Sequence, residues 1–340
     1  MNNKLIIFMY SAIHLIVDLS CAAFIYHFLA LRFGITNIAI IILVYDFLAF
    51  VLQLPFGVFF NNKNINSFVS MIGCILILFA YLLNMIPILP VLLIGTGNAM
   101  FHIGGGIDIL NISQKKSTKI GLYVAPGALG LFLGCSINKI NYSIYLILVL
   151  LVISIISLYI MSKTNKTKIN QKNISILDYK FNKRIIIYLL LLTICIRGYI
   201  GFILNYIWKT DFNLAIFAVL PVVFGKAIGG ILGDKYGLEK IGFLSLLASS
   251  ILFVFSFNNM YIAFASILIF NMTMPITLIL LSNYLNNYGR AFGLNTVALF
   301  IGSLLHFASI DLFHIVILPI VVFTSSIIFI LCCKGMKKIW

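Results

Sequence analysis

Apolar stretches of about twenty residues, each long enough to cross ~30 Å of hydrocarbon, recur along all 340 residues of the chain. Twelve are predicted, over residues 5–31, 36–60, 67–86, 87–112, 120–137, 143–161, 184–208, 213–233, 241–258, 260–285, 291–310 and 313–333. A backbone in hydrocarbon has to satisfy its own hydrogen bonds, and a helix does so within each segment. The series therefore predicts an all-α membrane protein with twelve transmembrane helices. Composition agrees, because 62% of the residues are hydrophobic, thirty are Phe and only 9% are charged. A soluble domain needs far more polar surface than that. The connections are mostly a few residues long, which leaves no room for a soluble catalytic or sensory domain. The first apolar run is too long for a cleaved signal peptide and lacks a small-residue cleavage site, so none is expected.

A net charge of +15 raises the question of nucleic acid, but the basic residues are placed as membrane topology requires. With the N-terminus inside, eighteen of the twenty-three Lys and Arg fall on cytoplasmic segments: Lys4, Lys63, Lys115, Lys116, Lys119, seven between Lys163 and Arg184, Lys235, Lys240, Arg290, Lys334, Lys337 and Lys338. Arg32, Lys139 and Lys209 fall outside, and Arg197 and Lys226 fall within spans. Both termini are expected in the cytoplasm, the membrane is read as a bacterial cytoplasmic membrane, and no nucleic-acid partner is expected. The six cysteines lie in spans or at a cytoplasmic end and read as small apolar fillers. None has the spacing of a zinc site, and neither a metal nor a cofactor is expected.

One long polar stretch, SKTNKTKINQKNISILDYKFNKR from Ser162 to Arg184, divides the spans six and six. The expected domains are an N-terminal bundle over 1–161, a basic linker over 162–183 and a C-terminal bundle over 184–340. If the halves are repeats, equivalent features recur at a constant offset. Gly57 corresponds to Gly230 and Asn98 to Asn271, each 173 residues on, and Gly121-Leu122 corresponds to Gly293-Leu294, 172 residues on. Three matches in order at nearly one offset point to an internal duplication.

The stretch GGILGDKYGLEK, residues 229–240, resembles the loop between the second and third helices of each half in the major facilitator superfamily. Gly230, Asp234, Lys235, Gly237 and Lys240 fill that signature, while the first-half copy has Asn61 in place of the acid and no second glycine. The pattern also has a direct physical reading: glycine admits a close helix approach, the carboxylate accepts from a helix N-terminus, and the cations face lipid headgroups. The resemblance covers the chain and implies two six-helix pseudo-symmetric bundles. It implies that helices one, four, seven and ten line a central cavity, while helices two, five, eight and eleven form the moving seam.

Charge inside a bilayer costs several kcal/mol unless paired or hydrated, so intramembrane ionisable groups are the functional candidates. The candidates singled out are His14, Asp18, Asp46, His102, Asp108, Arg197, Lys226 and His306. All fall on helices that the resemblance assigns to the cavity or the seam. His14 and Asp18 stand one turn apart on one helix face, so one can hold the proton the other gives up. Together with Asp46 they are the candidates for proton coupling, and a His-Asp bond that merely locks helix one is the structural alternative.

In NAMFHIGGGIDIL, residues 98–110, His102 presents an imidazole and Gly104, Gly105 and Gly106 let a solute or a neighbouring helix approach the backbone. Arg197 offers a planar bidentate contact to carboxylate or phosphate, or stands as counter-ion of Asp18 or Asp46. The expected substrate contacts are His102, Gly105, Arg197, Tyr199 and Asn271, with Thr273 at a kink near Pro275. Tyr10, Tyr26, Tyr199 and Tyr206 add amphipathic wall. Gating is expected at Asp108, Lys226, Gly230, Asp234, Lys235 and Gly237, with an Asp46–Lys226 pair as the structural alternative.

The expected function is a monomeric secondary active transporter, not an enzyme, that moves a small polar or anionic organic solute with protons by alternating access. No nucleotide-binding motif points to direct use of ATP. Phe101-His102 resembles the Phe-His on helix four of fosmidomycin-resistance-like exporters, which makes proton-driven drug efflux the alternative.

Overall fold

The computed structural model describes residues 2–61, 63–137, 143–164, 182–204, 212–285, 287–307 and 316–335. Most of the 162–183 linker lies outside the described residues, as do Lys139, Tyr206, Lys209, Lys337, Lys338 and the side chain of His306. Regular structure among the described residues is helical.

The first half comprises α1 (Asn3–Ala23), α2 (Ala30–Asp46), α3 (Gln53–Phe60), α4 (Asn66–Leu82), α5 (Leu89–Ser113), α6 (Ser117–Cys135) and α7 (Ile144–Thr164). The second comprises α8 (Lys183–Ile203), α9 (Phe212–Tyr236), α10 (Leu238–Ser256), α11 (Met260–Asn271), α12 (Thr273–Leu285), α13 (Tyr288–Phe307) and α14 (Ile317–Gly335). Two π-helical stretches, Phe24–Leu29 and Phe47–Val51, continue α1 into α2 and α2 toward α3.

Joined across these irregularities, the helices of the described residues form twelve rods in the order of the twelve predicted spans. Among the described residues nine are long and apolar enough to cross a membrane by length and composition, and the chain is an integral membrane protein. The other three are α4, which has only 17 residues, and α5 and α13, whose glycines and polar residues dilute their hydropathy.

The breaks between rods have local causes. Gly34 adopts φ +70°, a region that a side chain disfavours, and it separates the first rod from the second. Gly237 at φ +98° plays the same part between α9 and α10. Asparagine side chains start several helices by accepting orphan N–H groups: Asn2 from Lys4 (3.0 Å), Asn182 from Arg184 (3.0 Å) and Asn259 from Tyr261 (2.9 Å). Where α4 ends, Arg32 donates to the carbonyls of Asn84 and Met85, both at 2.7 Å. The cation thereby satisfies carbonyls of the turn that follows the helix. Within the spans, hydroxyls turn back onto their own helices, as Ser249 does to Leu246 and Ser256 to Phe253, so these polar groups carry no penalty in an apolar setting.

The chain forms two compact units. One comprises Met1–Ile112, Pro126–Asn170 and Asn287–Thr296; the other comprises Ser113–Ala125, Gln171–Asn286 and Val297–Trp340. Helices α6 and α13 change unit midway, after Ala125 and after Thr296. In the first unit α7 packs along α4 and α1; in the second, α14 packs along α10 and α8. These are equivalent pairs, the sixth rod of each half against its third and first. The repeat read from sequence offsets is therefore also a repeat of packing.

Candidate functional site

In the first unit α1 places His14 and Asp18 on one face, with His14 Nε2 at 3.2 Å from Asp18 Oδ2. Helix α5 brings His102 to the same point. Its Nε2 lies 3.4 Å from Asp18 Oδ1 and 3.0 Å from His14 Nε2, with the two imidazoles edge to face at 89°. Side-chain exposures of 7% for His14, 19% for Asp18 and 13% for His102 describe a cluster that is mostly buried and open on one side.

His102 Nδ1 lies 3.0 Å from the Asn98 carbonyl. A carbonyl only accepts, so Nδ1 carries the hydrogen and the Nε2 of a neutral ring turns its lone pair toward the cluster. Asn98, which the sequence marks only as a repeat position, also donates from Nδ2 to Tyr45 at 3.0 Å and to the Cys21 sulfur at 3.4 Å. It thereby ties α5 to α1 and α2. Gly127 on α6, next to Pro126 within the helix, presents bare backbone to the cluster, and a Cβ there would run into His14 Nε2 and Asp18 Oδ2.

Asp108 is only 1% exposed and accepts from Tyr10 at 2.7 Å, Asn66 at 2.8 Å and Ser67 at 3.1 Å. Three neutral donors from α1 and α4 surround a carboxylate on α5. Tyr10, expected as cavity wall, is instead fully buried, because its hydroxyl serves Asp108. Asp46 is 7% exposed and sits where α2 passes into the π-helical stretch Phe47–Val51. Among the described residues it makes no ion pair and no side-chain hydrogen bond. The wide turn after it leaves the Phe50 carbonyl to Thr296, whose hydroxyl donates to it at 2.9 Å, and π-helical insertions of this kind are frequent at functional positions.

The glycines of FHIGGG face neighbouring helices. A Cβ on Gly104 would meet Asn66 and Ser70 of α4, and one on Gly106 would meet the Phe292 ring. Gly105 is buried between them.

In the second unit Arg197 is buried and donates from Nη1 to the Thr277 hydroxyl at 2.6 Å. Tyr199 is buried, and Asn271 donates to its own helix at the Ile267 carbonyl (2.8 Å). The helix break at Asn271–Thr273 precedes Pro275. Lys226 reaches toward the Val124 carbonyl at 3.5 Å.

Asp234 caps α6, its Oδ1 accepting from Ser117 N (2.7 Å) and Oγ (2.8 Å) and its Oδ2 from Thr118 N (2.9 Å). Gly230 lets the two backbones meet, since a Cβ there would press on Ser117 and Thr118. Lys235 is exposed over the Tyr236 ring. Within the first unit, Asn61 accepts from Gly289 N at 2.9 Å at the start of α13, where a Cβ on Gly57 would strike the Gly289 backbone. The amide oxygen of Asn61 thus fills the acceptor position of the missing acid. Gly57/Gly230 and Gly121/Gly293 are equivalent in their packing, whereas Asn98 and Asn271 have different partners.

No protein-family model matches the sequence, and no curated protein sequence matches it. Solved structures do. The Escherichia coli fucose:proton symporter FucP superposes with TM-score 0.67 at 10% identity over 99% of this chain and 100% of that one. The human organic anion transporter MFSD10 gives 0.73 at 10% identity, also over 99% and 100%. A bacterial homologue of the iron transporter ferroportin, in an outward-facing state, gives 0.63 at 14% identity over 98% and 100%. Twelve rods, the repeated packing and the full-length superpositions lead to one conclusion: the chain has the fold of the major facilitator superfamily transporters.

Proposed function

We propose that the chain is a secondary active transporter that moves a small polar or anionic organic solute by alternating access of two helical bundles, coupled to protons. The observation that carries the coupling is Asp46, a buried carboxyl in a membrane span that makes no ion pair or side-chain hydrogen bond among the described residues. Its charged form costs several kcal/mol there unless water reaches it, whereas its neutral form does not. A conformation that hydrates Asp46 therefore favours release of the proton, and one that dries it favours retention, which links protonation to the conformational cycle. The adjoining π-helical stretch gives the second rod a place to change shape. The fold is shared with a fucose:proton symporter and an organic anion transporter, both of which suit this reading.

The test uses proteoliposomes with an imposed pH gradient and a panel of radiolabelled monosaccharides and carboxylates. The unmodified protein is expected to accumulate one of them. Asp46→Asn is expected to lose the response to the gradient while retaining solute exchange. Gradient-driven accumulation by Asp46→Asn would overturn the assignment.

Arg197 is the proposed anchor for an anionic solute, because its buried guanidinium offers five donors in a planar fork that matches a carboxylate or phosphate. Arg197→Ala is expected to reduce anion uptake at least tenfold, and Arg197→Lys is expected not to restore it, since lysine lacks the planar fork. Undiminished uptake by Arg197→Ala would remove the anchor and favour the efflux reading.

A further inference from the structure

The cluster in the first unit has a property that proton exchange at Asp46 does not use. His14 Nε2, His102 Nε2 and the Asp18 carboxylate supply one donor atom each, all within 4.8 Å of one another. Three electron-pair donors converge on one point. One proton between the two nitrogens accounts for their 3.0 Å separation. The 3.4 Å approach of His102 Nε2 to Asp18 Oδ1 calls for a second proton or another cation. A cation between the three relieves both contacts.

We propose that His14, Asp18 and His102 form a binding site for a divalent transition-metal ion of the zinc and cobalt class. The spacing fits such an ion. Zinc–nitrogen and zinc–oxygen bonds of about 2.0–2.2 Å place tetrahedral ligands about 3.3 Å apart; the two Nε2 atoms are 3.0 Å apart, His14 lies 3.2 Å from Asp18 Oδ2 and His102 3.4 Å from Asp18 Oδ1, so the carboxylate can reach the ion through either oxygen. The outer contacts fit as well: metal-ligating histidines hold their other ring nitrogen on a carbonyl or carboxylate, as His102 does on Asn98. Two imidazoles and one carboxylate select borderline metals over calcium and magnesium, which prefer oxygen ligands throughout. Three protein ligands leave a fourth position for water or solute. The bare backbone of Gly127 keeps one wall of the site clear. Two of the ligands stand one turn apart on α1 and the third comes from α5.

The test is cobalt titration of the detergent-purified full chain, with its affinity tag removed and metal stripped by chelator. Binding of one Co²⁺ is expected, with intense tetrahedral d–d bands in the visible and no thiolate charge-transfer band. Zn²⁺ is expected to erase the bands, and a hundredfold excess of Mg²⁺ or Ca²⁺ to leave them. His14→Ala and His102→Ala are each expected to weaken Co²⁺ binding at least about 100-fold.

Gly127→Ala keeps all three ligands and is expected to weaken binding by crowding them, while Cys332→Ser and Cys333→Ser leave it unchanged. Gel-filtration profiles and melting midpoints verify that each variant is folded, and His102→Asn serves where the alanine variant does not purify. Absence of the bands in the unmodified protein at millimolar Co²⁺, or their persistence in both histidine variants, would overturn the site. Because Asp46 is not among the ligands, the outcome is independent of the proton-coupling test.

Discussion

Asp108→Ala is expected to destabilise the protein by about 3–5 kcal/mol, because it takes the acceptor from the Ser67 hydroxyl and the Asn66 amide, each worth about 1–3 kcal/mol when buried without a partner, and removes the shorter of two bonds of the Tyr10 hydroxyl, which keeps Ser67 at 3.1 Å. The carboxylate is 1% exposed and bonded to all three groups, so water does not replace it in the folded state. Asp108→Asn is expected to lose about half as much. It keeps one oxygen for Tyr10 but turns an N–H₂ toward another donor. Thermal unfolding of the detergent-solubilised protein reads the difference, with a fall in midpoint on the order of 10 °C for the alanine variant. A midpoint within about 2 °C of the unmodified protein would show that the network does not hold α1, α4 and α5 together.

Removing the Asp234 carboxylate is expected to cost about 2–3 kcal/mol. Loss of a helix N-cap alone costs about 1 kcal/mol, and the charge-assisted bonds to two N–H groups and the Ser117 hydroxyl add to it. Partial exposure of Asp234 screens the charge and keeps the figure below that for Asp108. Asn61→Ala, which loses one neutral bond to Gly289, is expected to cost about 1 kcal/mol. The ranking of the three in thermal unfolding is the measurement. Equal effects of Asp234→Ala and Asp234→Asn would show that charge contributes nothing at this cap.

The twelve rods were legible because burying a backbone in lipid leaves the chain little choice, and their order and breaks follow apolar length and glycine placement. The duplication was legible too, since Gly57 and Gly230 sit at places where backbones touch and no side chain fits. His14 and Asp18 were legible as a pair because four residues make one helical turn. His102 joining them was not. Its approach depends on how α5 seats against α1, and sequence separation says nothing of that. Tyr10 was misplaced for the same reason: a tyrosine on an amphipathic helix looks like cavity wall until a buried carboxylate on another helix claims its hydroxyl.

Asn61 shows a further limit, since an amide oxygen satisfies a helix terminus without the acid that the motif requires. Neither π-helical stretch carries a local signal, because the inserted residue is tolerated only where neighbours such as Thr296 take up the freed carbonyl. Hydropathy and repeat spacing act through the solvent and the local backbone, and they were sufficient for helices, membrane and duplication. The convergence of His14, Asp18 and His102, the burial of Asp108 and the capping by Asp234 and Asn61 arise from contacts between helices distant in the chain. Those contacts depend on side-chain shape and close packing, which no periodicity along the chain encodes.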